Sequence, residues 1–125
     1  MRIWHENLIP LLDRQRLLAQ HREICAMRGN GWTKKHATVQ YALDGSLLTL
    51  YFFHLVVMKE MVNRGYNVDN KWVDPCYRGK ICPAADKEML MNKYVFNLPN
   101  TYPEHNDEYY KECIENLRNK GFIIK

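Results

Sequence analysis

The sequence has no apolar run long enough to cross a membrane. Its longest mostly apolar stretch, residues 47–58, contains Thr49 and His54 and is only 12 residues long, whereas a membrane-spanning helix needs about 20 residues. We therefore expect no membrane partner and interpret this stretch as a buried core helix. No repeat, low-complexity segment or linker interrupts the chain, which predicts a single domain over residues 1–125.

Cysteine is scarce and irregularly spaced. The four residues Cys25, Cys76, Cys82 and Cys113 form no CxxC pair, and the start of the chain has no continuous apolar core of the kind found in secretory leaders. Because disulfide frameworks belong to oxidising compartments, we expect reduced cysteines in a cytoplasmic protein. A zinc site built from Cys76, Cys82 and a nearby histidine is an alternative, but the spacing does not favour it. We expect no metal and no cofactor.

The alternation typical of β-strands is weak throughout, and apolar residues recur at helical spacing instead. Ser46 is a typical N-cap for a central helix, and Gly65 a typical residue just past its C-terminal end. The pattern predicts an all-α fold, a compact single-domain helical bundle with an extended N-terminal arm over residues 1–10. The predicted helices span residues 13–28, 34–43, 47–64, 84–96 and 107–119.

The charge balance is mildly basic. Hydrophobic residues make up 46% of the chain, which excludes a disordered protein, and the formal net charge is +4. A polyanion such as DNA fits this charge, although the charge alone does not require one.

The first predicted helix has a charged face opposite its apolar stripe of Leu17, Leu18, His21, Ile24 and Cys25. A carboxylate is embedded there in a basic surface, since Glu23 follows Arg22 directly. Periodicity alone favours an ordinary solvated face with local ion pairs. The residues of this face are Gln15, Arg16, Ala19, Gln20, Arg22, Glu23 and Ala26.

A second basic cluster follows the helix. Trp32, Lys34, Lys35 and His36 bring an aromatic ring close to two ammonium groups and an imidazole. Such a set can stack a base and hold phosphates. The alternative is a loop whose tryptophan packs on the core.

Several short motifs resemble one family. The run QRLLAQHRE at residues 15–23 is similar to the signature of the pyrimidine-dimer DNA glycosylase and AP lyase family, the endonuclease V type of phages and algal viruses. The resemblance extends over residues 1–95 and is weak in the tail, where Tyr109-Tyr110-Lys111 is a loose counterpart of the family's aromatic cluster. The other motifs keep the family's order and lie at residues 1–3, 35–36, 64–68, 77–79 and 81–83.

The resemblance implies a compact helical enzyme that repairs double-stranded DNA carrying cyclobutane pyrimidine dimers or related damaged bases. It implies that an N-terminal amine attacks the sugar C1′, that a Schiff base forms and that β-elimination cuts the strand. Met1 would supply the amine, and Glu23 would be the essential acid/base.

The resemblance also implies DNA contacts from Arg22 at the lesion and from Arg2, Gln15 and His36. The basic residues of the first helix, the following cluster and the matched motifs add further candidates, and we expect a monomer. These candidates are Arg16, Arg28, Trp32, Lys34, Lys35 and Arg78.

Two positions depart from the family. Position 2 is Arg2, which is too large for normal methionine excision, so the nucleophile would be the amine of Met1 itself. The family arginine three residues after the glutamate is Ala26 here, and Arg28 is the candidate replacement. The choice of lesion is therefore less well defined than the type of reaction.

Two other readings use fewer of these features. A non-enzymatic DNA-binding helical module needs the arginines but has no use for Glu23 or a free Met1 amine. A structural or partner-binding helical protein needs neither, because its basic face would simply be solvated.

Overall fold

The elements of the fold are helices. The computed structural model describes residues 2–29, 45–80, 82–94 and 101–122, and these ranges contain no β-strand. The predicted all-α fold class is thereby confirmed. The α-helices are α1 (Arg14–Arg28), α2 (Leu47–Asn63), α3 (Lys87–Met91) and α4 (Asp107–Asn119), and short 3₁₀ helices span Glu6–Leu11 and Asn70–Val73.

Side-chain caps decide where α2 and α4 begin. The Ser46 hydroxyl accepts a hydrogen bond from the Leu48 amide at 3.1 Å, which starts α2. The Asn106 side chain accepts from the Tyr109 amide at 2.9 Å and starts α4. Gly65 has a φ of +82° just after α2, a conformation that ends a helix at little cost for glycine. The start of α2 and both bounds of α4 are therefore as predicted.

Two predicted elements are shorter than expected. The arm is non-helical only over residues 2–5, because the His5 Nδ1 atom accepts from the Asn7 amide at 3.1 Å and caps the 3₁₀ helix Glu6–Leu11. The helix predicted over residues 84–96 is the short α3, since Asp86 caps its start and Lys93, at a φ of +62°, follows its end. The helix predicted over residues 34–43 lies outside the described residues.

The core forms where α1 packs against α2, with the 3₁₀ helix Glu6–Leu11 also against α2. The N-terminal residues belong to this core, because Ile3 is 0% and Trp4 only 6% exposed. None of the helices within the described ranges is both long and apolar enough to span a bilayer. All four cysteines carry free thiols.

Three histidines are buried in the fold. His5, His54 and His105 are each at most 2% exposed. The Glu6 amide donates to His105 Nδ1 at 3.3 Å, so that nitrogen carries no proton and the ring is neutral. Burial lowers the pKa of His105 to about 3 and that of His54 to about 2. The folded state therefore excludes protons that the unfolded chain would take up.

We predict that the free energy of unfolding falls as the pH drops from about 6.5 to 5. An unfolded histidine titrates near pH 6.5, so each histidine kept neutral in the fold costs about 1.4 kcal/mol per pH unit below that value. Urea denaturation at several pH values measures the slope. His105→Gln should reduce it by about one proton, whereas Leu117→Ala, which destabilises the core without removing a histidine, should keep the wild-type slope. Equal slopes for all three proteins would contradict the prediction.

Candidate functional site

The N-terminal segment, residues 2–5, lies against α1. Gln20 is only 1% exposed, and its side-chain amide bonds to this segment twice. Its Oε1 accepts from the Trp4 amide at 2.8 Å, and its Nε2 donates to the Arg2 carbonyl at 3.2 Å. The sequence pattern placed Gln20 on the exposed face of the helix, which is wrong, because the N-terminal segment covers that face.

Helix α4 contacts the same segment. The Tyr109 hydroxyl donates a hydrogen bond to the Ile3 carbonyl. The Arg2 guanidinium lies 3.3 Å from a Glu112 carboxylate oxygen. The Lys120 ammonium lies 5.4 Å from the centroid of the Trp4 ring. Backbone and side chains of residues 2–4 are thus bound by two helices that are far apart in the sequence.

Glu23 lies next to this segment, one helical turn after Gln20 on the same side of α1. The residue is half-buried, and its Oε2 atom is buried with no hydrogen-bond partner among the described residues. Burial raises the pKa of the Glu23 carboxyl, and the positive charges of Arg22 and Lys120 oppose part of that rise. A desolvated carboxylate with nearby cations and a free acceptor atom is typical of a catalytic acid or base.

Three of the residues predicted to contact DNA lie on α1, and each is at least partly exposed to solvent, as a DNA contact requires. Gln15 and Arg22 are exposed. Arg16 is partly covered, and its Nη1 atom lies 3.0 Å from an Asp13 carboxylate oxygen. The side chain of Arg22 therefore reaches solvent beside Glu23, as a contact to a bound polyanion requires.

The other predicted contacts are less exposed or lie elsewhere. The Arg2 side chain is 11% exposed because Glu112 and the Tyr109 ring cover it. The Nε atom of Arg78 donates to the Arg28 carbonyl at 2.8 Å, which places Arg78 at the C-terminal end of α1. Met1, Trp32, Lys34, Lys35 and His36 lie outside the described residues.

Arg28 is not a surface residue. It is 0% exposed, and its guanidinium donates to the carbonyl oxygens of Trp72, Asp74 and Tyr77 at 2.8, 2.8 and 3.0 Å. The prediction that Arg28 contacts DNA in place of the arginine that is missing at position 26 is wrong, because its guanidinium is buried and bonded to groups inside the protein. Arg28 instead connects α1 to the loop that follows α2.

A cluster of potential metal ligands lies beside Arg28. The donor atoms of His21, Cys25 and His54 all lie within 4.8 Å of one another, and no other such set of three occurs in the described ranges. The Arg28 guanidinium, which can only donate, lies 2.9 Å from His54 Nδ1. That contact assigns the His54 proton to Nε2, which lies 2.8 Å from His21 Nδ1.

This hydrogen-bond arrangement does not suit a cation. A metal would need the lone pair of His54 Nε2, yet that nitrogen carries the proton as long as Arg28 donates to Nδ1. Burial also raises the pKa of the Cys25 thiol to about 11, so the thiol is protonated near neutral pH. We interpret the cluster as a structural network that joins α1, α2 and the loop at Trp72. It does not involve Cys76 or Cys82.

The sequence analysis did not identify Gln20 and Lys120 as contacts of the N-terminal segment, and it named Tyr109 only as part of a loose motif. A weak signal existed for Gln20, which lies three residues before Glu23 within the run QRLLAQHRE. Nothing in the sequence pairs Tyr109 with Ile3, because 106 residues separate them.

The comparisons with known proteins agree with the motif pattern. The model of a family described as pyrimidine dimer DNA glycosylase matches residues 1–74, which is more than half of the chain. The matched segment contains the N-terminal segment, α1 and α2, and it ends before α3 and α4. No curated protein and no solved structure matches the chain.

We predict that Arg28→Met lowers the free energy of unfolding by about 3 kcal/mol or more, because the change leaves the carbonyl oxygens of Trp72, Asp74 and Tyr77 without their hydrogen-bond donor. Chemical denaturation measures the loss. The matched control is Arg22→Met on the exposed side of the same helix, which should stay within about 0.5 kcal/mol of wild type. Equal stabilities for the two variants would show that the Arg28 network does not support the fold.

Proposed function

The chain belongs to the pyrimidine dimer DNA glycosylase family, and from this we propose that it excises damaged bases from double-stranded DNA through a Schiff base at its own N-terminal amine. We propose that the substrates are cyclobutane pyrimidine dimers or related lesions. We also propose that an associated AP lyase activity cuts the strand by β-elimination, and that the protein acts as a monomer in the cytoplasm.

One observation carries the proposal, namely the half-buried Glu23 beside the N-terminal segment, with its buried and unpartnered Oε2 atom. The Arg2 carbonyl is bonded to Gln20, one helical turn before Glu23. Consecutive Cα atoms are about 3.8 Å apart, and side chains one turn apart are about 5–6 Å apart. We therefore propose that the amine one residue before Arg2 lies close to the Glu23 carboxylate.

An α-amine is a suitable nucleophile because it is partly neutral at physiological pH. Its reference pKa is about 7.7–8.0, against about 10.4 for lysine, so roughly 15% of an α-amine but only about 0.04% of a lysine is neutral at pH 7. A nucleophilic amine must be unprotonated. The chain terminus thus needs no further desolvation to react.

The proposed reaction balances without a cofactor. The amine nitrogen forms a bond to C1′ as the bond from C1′ to the base breaks, and the base leaves with that electron pair and takes up a proton. The C1′–O4′ bond then breaks, O4′ takes up a proton from solvent, and the nitrogen lone pair forms the protonated imine. The Glu23 carboxylate then removes a proton from C2′, and the electron pair expels the 3′ oxygen with its phosphate. Water hydrolyses the remaining imine.

DNA binding is assigned to the exposed side of α1 and to the basic cluster that follows it. Arg22 and Gln15 are exposed there, and Arg2, Arg16 and Arg78 are partly covered. We propose that these side chains, with Trp32, Lys34, Lys35 and His36, hold phosphates and offset the few kcal/mol that opening the duplex costs.

We predict that Glu23→Gln abolishes strand cleavage but preserves or tightens DNA binding. The amide keeps the size of the carboxylate, loses the proton-transfer role and removes a negative charge from a DNA-facing surface. Cleavage of an abasic-site duplex and of a dimer-containing duplex measures activity, and salt-dependent affinity measures binding. The exposed carboxylate Glu115 serves as the control, and Glu115→Gln should leave both unchanged. Wild-type cleavage by Glu23→Gln would exclude the proposed role.

We predict that acetylation of the N-terminal amine eliminates the adduct that borohydride traps, because a blocked amine cannot form an imine. The helix face stays intact, so much of the DNA affinity should remain. If the acetylated protein is trapped at the wild-type rate, an internal lysine such as Lys34 or Lys35 is the nucleophile. A non-enzymatic DNA-binding module would show salt-dependent affinity for DNA and no adduct even before acetylation.

A further inference from the structure

We propose that Gln20 and Tyr109 are positioning residues, which hold the N-terminal amine in register for attack by fixing the backbone of residues 2–4. The inference rests on the proposed function and extends it to α4, which lies outside the segment that matches the family.

The first support is a run of hydrogen bonds at consecutive residues. The Arg2 carbonyl accepts from Gln20, the Ile3 carbonyl accepts from Tyr109, and the Trp4 amide donates to Gln20. These bonds are made by two side chains and not by a neighbouring β-strand, whose backbone groups would repeat along the segment and could pair in more than one register. The Arg2 carbonyl bonds to α1 and the Ile3 carbonyl to α4, so a shift by one residue would turn each carbonyl away from its present donor.

The second support is that each side chain of the segment lies in an environment that suits its polarity. Ile3 is 0% and Trp4 6% exposed in the core, and Arg2 pairs with Glu112. Lys120 lies over the Trp4 ring. Sliding the segment by one residue would therefore bury the Arg2 guanidinium and expose an apolar side chain. Polar and apolar contacts select the same register.

The third support is the arrangement of α4. Tyr109 and Glu112 are three residues apart and lie on one side of α4, and Lys120 follows directly after its last residue. Each of them contacts a different residue of the N-terminal segment. Helix α4 thus runs alongside the segment opposite α1, and its contribution is to the location of the chain terminus.

Positioning has a kinetic signature that differs from loss of binding or of folding. A nucleophile displaced by about 1 Å can lose on the order of 100-fold in rate, although the substrate still binds. Neither Gln20 nor Tyr109 is among the exposed residues assigned to DNA. Their loss should therefore lower the rate of imine formation at saturating DNA and leave the DNA affinity unchanged.

The first experiment compares Tyr109→Phe with Tyr110→Phe, the same chemical change at the next residue of α4. We expect Tyr109→Phe to form the borohydride-trapped adduct about tenfold more slowly at saturating abasic DNA, with Kd within about twofold of wild type. Tyr110→Phe should match wild type. Hydrogen exchange of the Trp4 amide, measured without DNA, should be faster in Tyr109→Phe only. An unchanged trapping rate in Tyr109→Phe would overturn the inference.

The second experiment moves the amine and leaves the hydrogen bonds in place. A leucine inserted between Met1 and Arg2 retains the methionine and puts the amine one residue too far out. A glycine inserted there lets methionine excision restore the original length, which mass spectrometry verifies. We expect the leucine insertion to lose about 100-fold in trapping rate and the glycine insertion to stay near wild type, with unchanged exchange of the Trp4 amide in both.

The outcomes separate the two proposals. If the wild-type chain forms no trapped adduct, the proposed function fails, and the role of Gln20 and Tyr109 in positioning a nucleophile fails with it. If wild type forms the adduct and both insertions react equally fast, only the register inference is wrong. Gln20→Leu removes two of the three bonds and should be slower than Tyr109→Phe. Equal rates for Gln20→Leu and wild type would likewise overturn the role of Gln20.

Discussion

The two hydrogen bonds of the Gln20 side chain are the constraint on which the proposed site depends. An amide buried without partners would destabilise the fold, so burial of Gln20 requires a donor and an acceptor at the right distance. The backbone of the N-terminal segment supplies both, through the Trp4 amide and the Arg2 carbonyl. The same bonds that satisfy Gln20 therefore fix the backbone of Arg2 and Trp4 relative to α1, which carries Glu23.

Buried polar groups divide into two sets with different consequences. Around Arg28, the three carbonyl oxygens and His54 satisfy the guanidinium, and this set joins α1 to α2 and to the following loop. Glu23 differs, because its Oε2 atom has no hydrogen-bond partner within the described part of the chain. A fully satisfied network stabilises a fold, whereas an unsatisfied carboxylate costs stability, and this cost is consistent with the catalytic role that we propose for Glu23.

The histidines follow the same logic. His54 and His105 are neutral because burial opposes a charge and because each Nδ1 atom accepts a hydrogen bond. Neutral imidazoles fill space between aromatic rings and still satisfy a neighbouring donor, as His105 does when it stacks on Tyr109. This packing places Tyr109, and hence the Ile3 carbonyl, beside the core. Stability and the position of the N-terminal segment are therefore coupled.

Much of the fold could be predicted from local signals. The capping residues Ser46 and Asn106 and the left-handed Gly65 are effects of a few neighbouring atoms, so the pattern located α2 and α4 well. The motifs at residues 1–3 and 15–23 lie within the family match and identified Glu23 as the candidate acid/base. Local patterns failed at the predicted helix 84–96, where the Asp86 cap and the conformation of Lys93 shorten the element.

The sequence by itself determined the helical class, most helix bounds and the family, because each depends on residues close together in the chain. Only the tertiary structure decided that Gln20 is buried, that Arg28 is unavailable to DNA and that Tyr109 bonds to Ile3. The physical reason is that helical periodicity separates the faces of one helix but does not say which distant segment covers each face. The partners of Gln20 lie 16 and 18 residues away, and Tyr109 lies 106 residues from Ile3.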